Sequence, residues 1–160
     1  YRIALDKLAK EQRKLSLMKY SSNNYYKQKL KVAKLHEHIS NQRKDWIHKL
    51  STELANEYDY ICVEDINMQN MAQSLKLGKS TNDNGFGMFR IILDYKLSER
   101  GKKLIKIDKW FPSSKMCRFC GNINKELTLA DRVWTCICGE VINRDENAAI
   151  NIMNVGLSMV

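Results

Sequence analysis

Tyr60-Ile61-Cys62-Val63 is the stretch on which the reading of the fold turns. A short apolar run rich in β-branched residues predicts a buried strand. It stops on Glu64-Asp65, two carboxylates at the strand's C-terminal end. Further along, Gly85-Phe86-Gly87 leads into Met88, Phe89, Ile91, Ile92, Tyr95 and Leu97. That spacing predicts an amphipathic helix ending near Arg100-Gly101, where Gly suits the C′ position. Leu104-Ile105-Lys106-Ile107 predicts a second strand. Strand, helix, strand implies a parallel pair with a right-handed crossover, part of an α/β layer. The polar, mixed residues 66–84 between them read as a loop with helical pieces.

Upstream, residues 1–77 contain no Gly and no Pro. Nothing there breaks a helix except Ser21-Ser22-Asn23-Asn24, whose side chains compete for backbone hydrogen bonds. Two helices are expected, over about residues 2–20 and 25–58. On the second, Val32, Leu35, Ile39, Trp46, Leu50 and Leu54 form one apolar stripe, and lysines and arginines hold most of the other faces.

The charge follows the same division. The 160-residue chain carries a net charge of +9, with 13 Lys/Arg against 4 Asp/Glu in residues 1–50. The other residues are balanced, at 14 of each sign. Such a basic block attracts polyanions, nucleic acid first, and the alternative is a solvated helical face. Lys31, Lys34, Arg43 and Lys44 are its candidate nucleic-acid contacts. Hydrophobic residues at 44% and charged residues at 28% argue against disorder. The longest uncharged stretch, residues 147–160, is too short to span a bilayer and contains three Asn. No secretory signal opens the chain, so a membrane partner is not expected and a cytoplasmic location is. Tyr1 in place of an initiator Met suggests a piece of a longer protein.

Cys117-Arg118-Phe119-Cys120-Gly121 and Cys136-Ile137-Cys138-Gly139, 15 residues apart, have the form of a four-thiolate zinc ribbon. Gly after each pair lets the backbone turn so that its amides face the sulfurs. The second pair, C-x-C, is one residue shorter than the usual knuckle. A closed four-Cys site leaves no open position, which makes the metal structural. Cys62, inside the strand, reads as a small core residue and not a ligand. Glu64 and Asp145 are candidate hard ligands facing a crevice beyond the strand tips. The spacing equally allows Asp145 to favour a helix N-terminus and Glu64 or Asp65 to cap the next element. Residues 144–154 predict a last helix with Ala148, Ala149, Ile152 and Met153 on one face.

Four segments occur in order: YICVEDIN (60–67), WFPSSKMCRFCG (110–121), DRVWTC (131–136) and NRDENAA (143–149). With KLHEHISNQR (34–43) in the basic helix, they resemble the C-terminal half of TnpB (OrfB), transposon-encoded RNA-guided nucleases related to compact type V CRISPR effectors. The resemblance implies an α/β, partial RNase H-like (RuvC) domain with a basic helical hairpin and an inserted four-Cys zinc ribbon. Its domains would be residues 1–58 for the hairpin, 59–109 and 143–160 for the nuclease core, and 110–142 for the ribbon. The family's second and third catalytic acids fall on Glu64 and Asp145, with Arg144 and Asn147 beside the latter as nucleic-acid contacts. Its ribbon ligands fall on Cys117, Cys120, Cys136 and Cys138, which would hold one Zn²⁺. Mg²⁺ or Mn²⁺ would serve catalysis, and a DNA target and a guide RNA would be the partners. The first catalytic Asp belongs to a strand upstream of the hairpin, and Asp6, in a basic helix, does not replace it. The expectation is therefore the C-terminal part of an RNA-guided DNA endonuclease, inactive alone; the alternatives are a nuclease-dead nucleic-acid-binding remnant and a plain zinc-binding structural domain.

Overall fold

A computed structural model describes residues 1–66, 85–128 and 130–160. The chain divides into two compact units, Tyr1–Glu53 and Leu54–Val160. Apart from its first residue, Ile66, the segment expected to be a loop with helical pieces lies outside the described residues.

Uninterrupted helix-forming sequence builds the first unit. Helix α1 covers Arg2–Ser16 and α2 covers Asn23–Glu57. Helix α1 ends earlier than the sequence suggested, at Ser16, and the chain reverses through Ser21, which adopts a left-handed φ of 62°. Ser22 then caps α2, its hydroxyl accepting from the Tyr25 amide at 3.1 Å. Leu8, Val32 and Ile39 form the buried core of the pair, with Ala4, Leu5, Leu15 and Leu35 packed around them. The expected stripe fails at Trp46, which is 60% exposed, while Ile47 is fully buried. Val32, Ile39 and Trp46 repeat every seven residues, and a straight α-helix drifts by about 20° per heptad. That drift is too small to exchange Trp46 for its neighbour; from Ile47 the fully buried positions run on through Ser51 and Ala55, onto another face of α2.

One acid braces this basic hairpin. Glu11 on α1 is buried and accepts from Gln28 at 2.8 Å, Lys31 at 2.9 Å and Lys14 at 3.0 Å. Hydrogen bonds from Gln28, Lys31 and Lys14 hold its carboxyl down at about 2. A depressed acid stabilises the fold fully above its ordinary pKa of 4.5, and that stabilisation is lost as pH falls through about 2. Hydrogen-exchange protection of the α1 amides, corrected for intrinsic rates, should decline across that window. Glu11→Gln should lower protection at neutral pH and flatten its pH dependence.

In the second unit, strand β1 (Tyr60–Glu64) pairs in parallel with β2 (Lys103–Ile107), joined through helix α3 (Phe86–Ser98). Gly101 ends the α3 turn with φ 69°, and the Lys102 amide reaches back to the Leu97 carbonyl at 2.9 Å. The register sets Ile61 beside Leu104 and Cys62 beside Ile105, and strand alternation sends these two pairs to opposite faces. Ile61 and Leu104 pack on Ala55, Leu93 and Leu97. Burying a Leu is worth about 1.5–3 kcal/mol, so Leu93 and Leu97 supply much of what a two-stranded sheet lacks by itself. β1 is half-buried instead of buried, with Tyr60 exposed, since each strand of a two-stranded sheet is an edge. The α3 face is also narrower than expected: Ile91 and Tyr95 point outward, and Ile92, Leu93, Lys96 and Leu97 are buried.

Helix α4 (Arg144–Leu157) lies on the Cys62 face. Its Gly156 approaches β1 so closely that an added Cβ would overlap Cys62 Sγ and stand 2.8 Å from Cys62 Cβ. The Cys62 thiol, donating to the Met153 carbonyl at 3.8 Å, is thus packing material, as expected. Gly156→Ala should destabilise the protein by about 1–3 kcal/mol through overpacking. Thermal melting would register this loss, and Cys62→Ala in the same chain should recover part of it.

Candidate metal centre and carboxylate end

Two turns and a small antiparallel sheet bring the four cysteines together. Strands β3 (Val133–Thr135) and β4 (Val141–Asn143) pair, and Cys117, Leu127, Trp134, Cys136 and Ile142 form a separate core. In the first turn the Cys117 amide donates to the Asn122 carbonyl at 2.8 Å, and Gly121 takes φ 74°. In the second, the Cys136 amide donates to the Glu140 carbonyl at 2.9 Å, and Gly139 takes φ 91°. The short C-x-C pair therefore closes a turn of the same kind.

The Sγ atoms of Cys117, Cys120, Cys136 and Cys138 all lie within 4.8 Å of one another. Backbone amides address them as the glycines implied. The Cys138 amide, helped by hydrogen bonds from the other thiols, holds the Cys136 thiol down at about 7 despite its desolvation. At Cys120 the Asn122 amide pulls downward, but sharing with Cys136 and desolvation outweigh it and push the thiol up to about 12. Crowding thus sets the sulfurs against one another, with Cys136 drawn down and Cys120 and Cys138 pushed up. A dication removes the conflict by making every sulfur a thiolate ligand. All five cysteines are unpaired by disulfide.

Glu64 closes β1 on the Cys62 face, the side covered by α4. Asp65, one residue on, points the other way and pairs with Arg90 of α3 at 2.8 Å. Strand alternation thus separates two carboxylates that are adjacent in sequence. The Ser113 hydroxyl donates to Glu64 Oε1. Asp145 sits in the first turn of α4, whose Asn143 cap accepts from the amides of Asp145 and Glu146 at 3.1 and 3.2 Å. Arg132 at 3.0 Å and Arg144 at 3.2 Å flank its exposed carboxylate. Among the described residues only the cysteines form a group of three or more potential metal ligands.

Four of the expected nucleic-acid contacts have other partners. Asn147 is fully buried and joins α4 to the ribbon, so its side chain is not a surface contact; this corrects the expectation. Lys31 is paired with Glu11, and Arg43 donates to the Tyr1 hydroxyl and lies over its ring at 5.7 Å. Arg144 is spent on Asp145 and the Thr128 carbonyl. Lys34 and Lys44 are exposed. The expected α4 face is corrected too: Ala149 and Met153 are exposed, and the inward residues are Asn147, Asn151 and Gly156.

Sequence reading missed two cation–aromatic pairs on the ribbon. Lys109 lies 5.0 Å from the ring of Trp110, which is 80% exposed, and Arg118 lies 4.8 Å from that of exposed Phe119. The signal was a basic residue directly before each aromatic.

A partial RuvC-like α/β layer carrying an inserted four-cysteine ribbon is the class this geometry defines. Residues 1–75 match the family described as "Probable transposase", and residues 86–152 match "Cas12f1-like, TNB domain". The chain is 42% identical over 152 residues to a "Putative RNA-guided DNA endonuclease" of Streptomyces pristinaespiralis, covering 95% of this chain and 38% of that protein. It is 31% identical over 144 residues to the "TnpB-like protein L79" of Acanthamoeba polyphaga mimivirus, covering 84% of this chain and 27% of that protein. Its fold matches Cas12f1 in a cryo-EM structure of the Cas12f1-sgRNA-target DNA complex, with TM-score 0.59, 22% identity, and coverage of 93% of this chain and 40% of that one. Over most of its length the chain is similar to TnpB-related proteins. It spans about two fifths, or less, of the length of these relatives. No helix among the described residues is long and apolar enough to cross a membrane.

Cys120→Ser should release the ribbon's metal and loosen residues 110–142, because a three-thiolate remnant binds far more weakly. Metal analysis of the purified chain should find about one ion per chain in the parent and well under that in the variant.

Proposed function

We propose that this chain is the nuclease-and-ribbon part of a transposon-associated, RNA-guided DNA endonuclease that acts in the cytoplasm on DNA paired with its guide. One observation carries the reading. The Glu64 carboxylate and the helix bearing Asp145 meet at Ser113, four residues before the first ribbon cysteine. Glu64 and Asp145 are the oxygen ligands offered to Mg²⁺ or Mn²⁺. Such ions activate water and stabilise the leaving oxygen in phosphodiester hydrolysis.

Zn²⁺ suits the ribbon, since four thiolates with bonds of about 2.3 Å sit about 3.8 Å apart in a tetrahedron. Cys117 and Cys138 are 3.8 Å apart, and Cys120 and Cys136 are 3.5 Å apart. The hairpin, residues 1–58, offers Lys27, Lys34 and Lys44 to phosphates; residues 110–142 offer Trp110 and Phe119 to unstacked bases. The nuclease layer comprises residues 59–109 and 143–160. A second reading, a nuclease-dead nucleic-acid binder, draws on the two arginines that already neutralise Asp145.

The two readings separate by experiment. Residues 1–160 alone should leave single-stranded DNA uncut with Mg²⁺, because two carboxylates do not complete a two-ion site. In a protein of the relatives' full length containing this chain, Glu64→Gln and Asp145→Asn should each abolish cutting while DNA affinity changes little. Cutting that survives both substitutions overturns the metal-ligand reading, and a full-length parent that binds DNA without cutting it leaves the nuclease-dead binder. Replacing Lys27, Lys34 and Lys44 with Gln should reduce the salt slope of nucleic-acid binding by about 0.9 for each phosphate no longer neutralised. A filter-binding series across salt concentrations measures that slope, and an unchanged slope makes the hairpin a solvated face.

A further inference from the structure

The polar interior between α4 and the ribbon is more elaborate than packing requires. Asn147 and Asn151, one helical turn apart, are both buried. The Asn147 amide donates to the carbonyls of Ser113 at 3.3 Å and Met116 at 2.7 Å. Asn151 donates to the same two carbonyls, at 2.8 and 2.7 Å. Four amide hydrogens thus meet two carbonyls with two lone pairs each, a complete match. The remaining polar atom of Asn147, its oxygen, accepts from the Arg118 amide at 3.0 Å, between the first two cysteines. The backbone from Ser113 to Arg118 is therefore clamped on α4. Ser113 itself is buried, and its hydroxyl is directed at Glu64.

We propose that Ser113 is the positioning residue for the Glu64 carboxylate, and that Asn147 and Asn151 hold Ser113 so that the ribbon and the metal-binding carboxylate move as one body. The inference rests on the reading of Glu64 as a metal ligand and adds a residue to it. One Glu64 oxygen is fixed by the serine hydroxyl, leaving the other to serve an ion. A carboxylate at the end of an edge strand has several rotamers, and fixing one removes the entropy of ordering it on binding. Asn147 and Asn151 also share a helix with Asp145, two residues before Asn147, so the same clamp holds the helix that carries the second proposed ligand. A leucine pair would fill the same space but would not select the height of the loop. Directional hydrogen bonds do, and a buried amide left unpaired resists any slip.

The test uses the zinc-loaded 160-residue chain with Mn²⁺ as the probe, followed by water-proton relaxation. Ser113→Ala should weaken Mn²⁺ binding about tenfold, as expected for loss of a hydrogen bond to a charged group. Zinc content and melting midpoint should stay at parental values, and Ser113→Thr, which keeps the hydroxyl, should restore most of the affinity. Glu64→Gln should remove the same Mn²⁺ site. If Glu64→Gln abolishes binding and Ser113→Ala does not weaken it, the positioning role is overturned and the ligand reading stands. If Glu64→Gln leaves Mn²⁺ binding unchanged, both are overturned. If Ser113→Ala sheds zinc or lowers the melting midpoint to the extent that it lowers Mn²⁺ affinity, or if Thr fails to restore binding in a folded chain, Ser113 is an anchor for the ribbon and the proposal fails.

Discussion

Two buried asparagine amides on α4, each bonded to the carbonyls of Ser113 and Met116, are the contacts through which the second unit becomes one object. The ribbon has its own small core around Trp134, and the α/β layer has another around Leu93 and Leu97. Neither is large. Between them stands a polar network with every amide hydrogen used, and its cost if broken is that of leaving those groups buried and unpaired. Apolar contact would join the two parts with little regard to angle, whereas hydrogen bonds fix orientation. That matters for the role proposed for Glu64, a carboxylate held for an ion.

Charge organises both units in a similar way, by placing one acid among several bases. Glu11 draws Lys14, Lys31 and Gln28 together across the hairpin, so part of the basic block is internal structure. Asp145 lies between Arg132 and Arg144 at the start of α4. In the first case the acid is buried and the arrangement stabilises the fold. In the second it is exposed, where an ion pair is worth little and can be exchanged for a phosphate or a metal. Burial separates the acid that braces the fold from the one left open to exchange.

Much of this is readable from residue types. The strand–helix–strand unit follows from apolar runs and from Gly101, and the hairpin from a long stretch without Gly or Pro. The four sulfurs converge where the spacing of Cys and Gly places them, since a knuckle is closed by local hydrogen bonds within a few residues. Apolar periodicity goes wrong where a face must be chosen. The apolar repeat turns Trp46 inward, but burial in that part of α2 follows Ile47, Ser51 and Ala55 instead. Apolar character turns Ala149 and Met153 inward on α4, although the surface facing that helix is made of peptide carbonyls and selects Asn.

The elements, their order, the sulfur cluster and the family resemblance were legible in the residues alone, because each depends on local propensity, local turns or motifs contiguous in the chain. Long-range packing settles which carboxylate of Glu64-Asp65 faces α4, which of the lysines and arginines are already paired, and that Asn147 and Asn151 are interior groups. Those outcomes depend on partners 17 to 49 positions away, such as Gln28 on the Glu11 carbonyl and Ser113 on Glu64. A side chain's role is set by what reaches it, and no local pattern encodes the far member of such a pair.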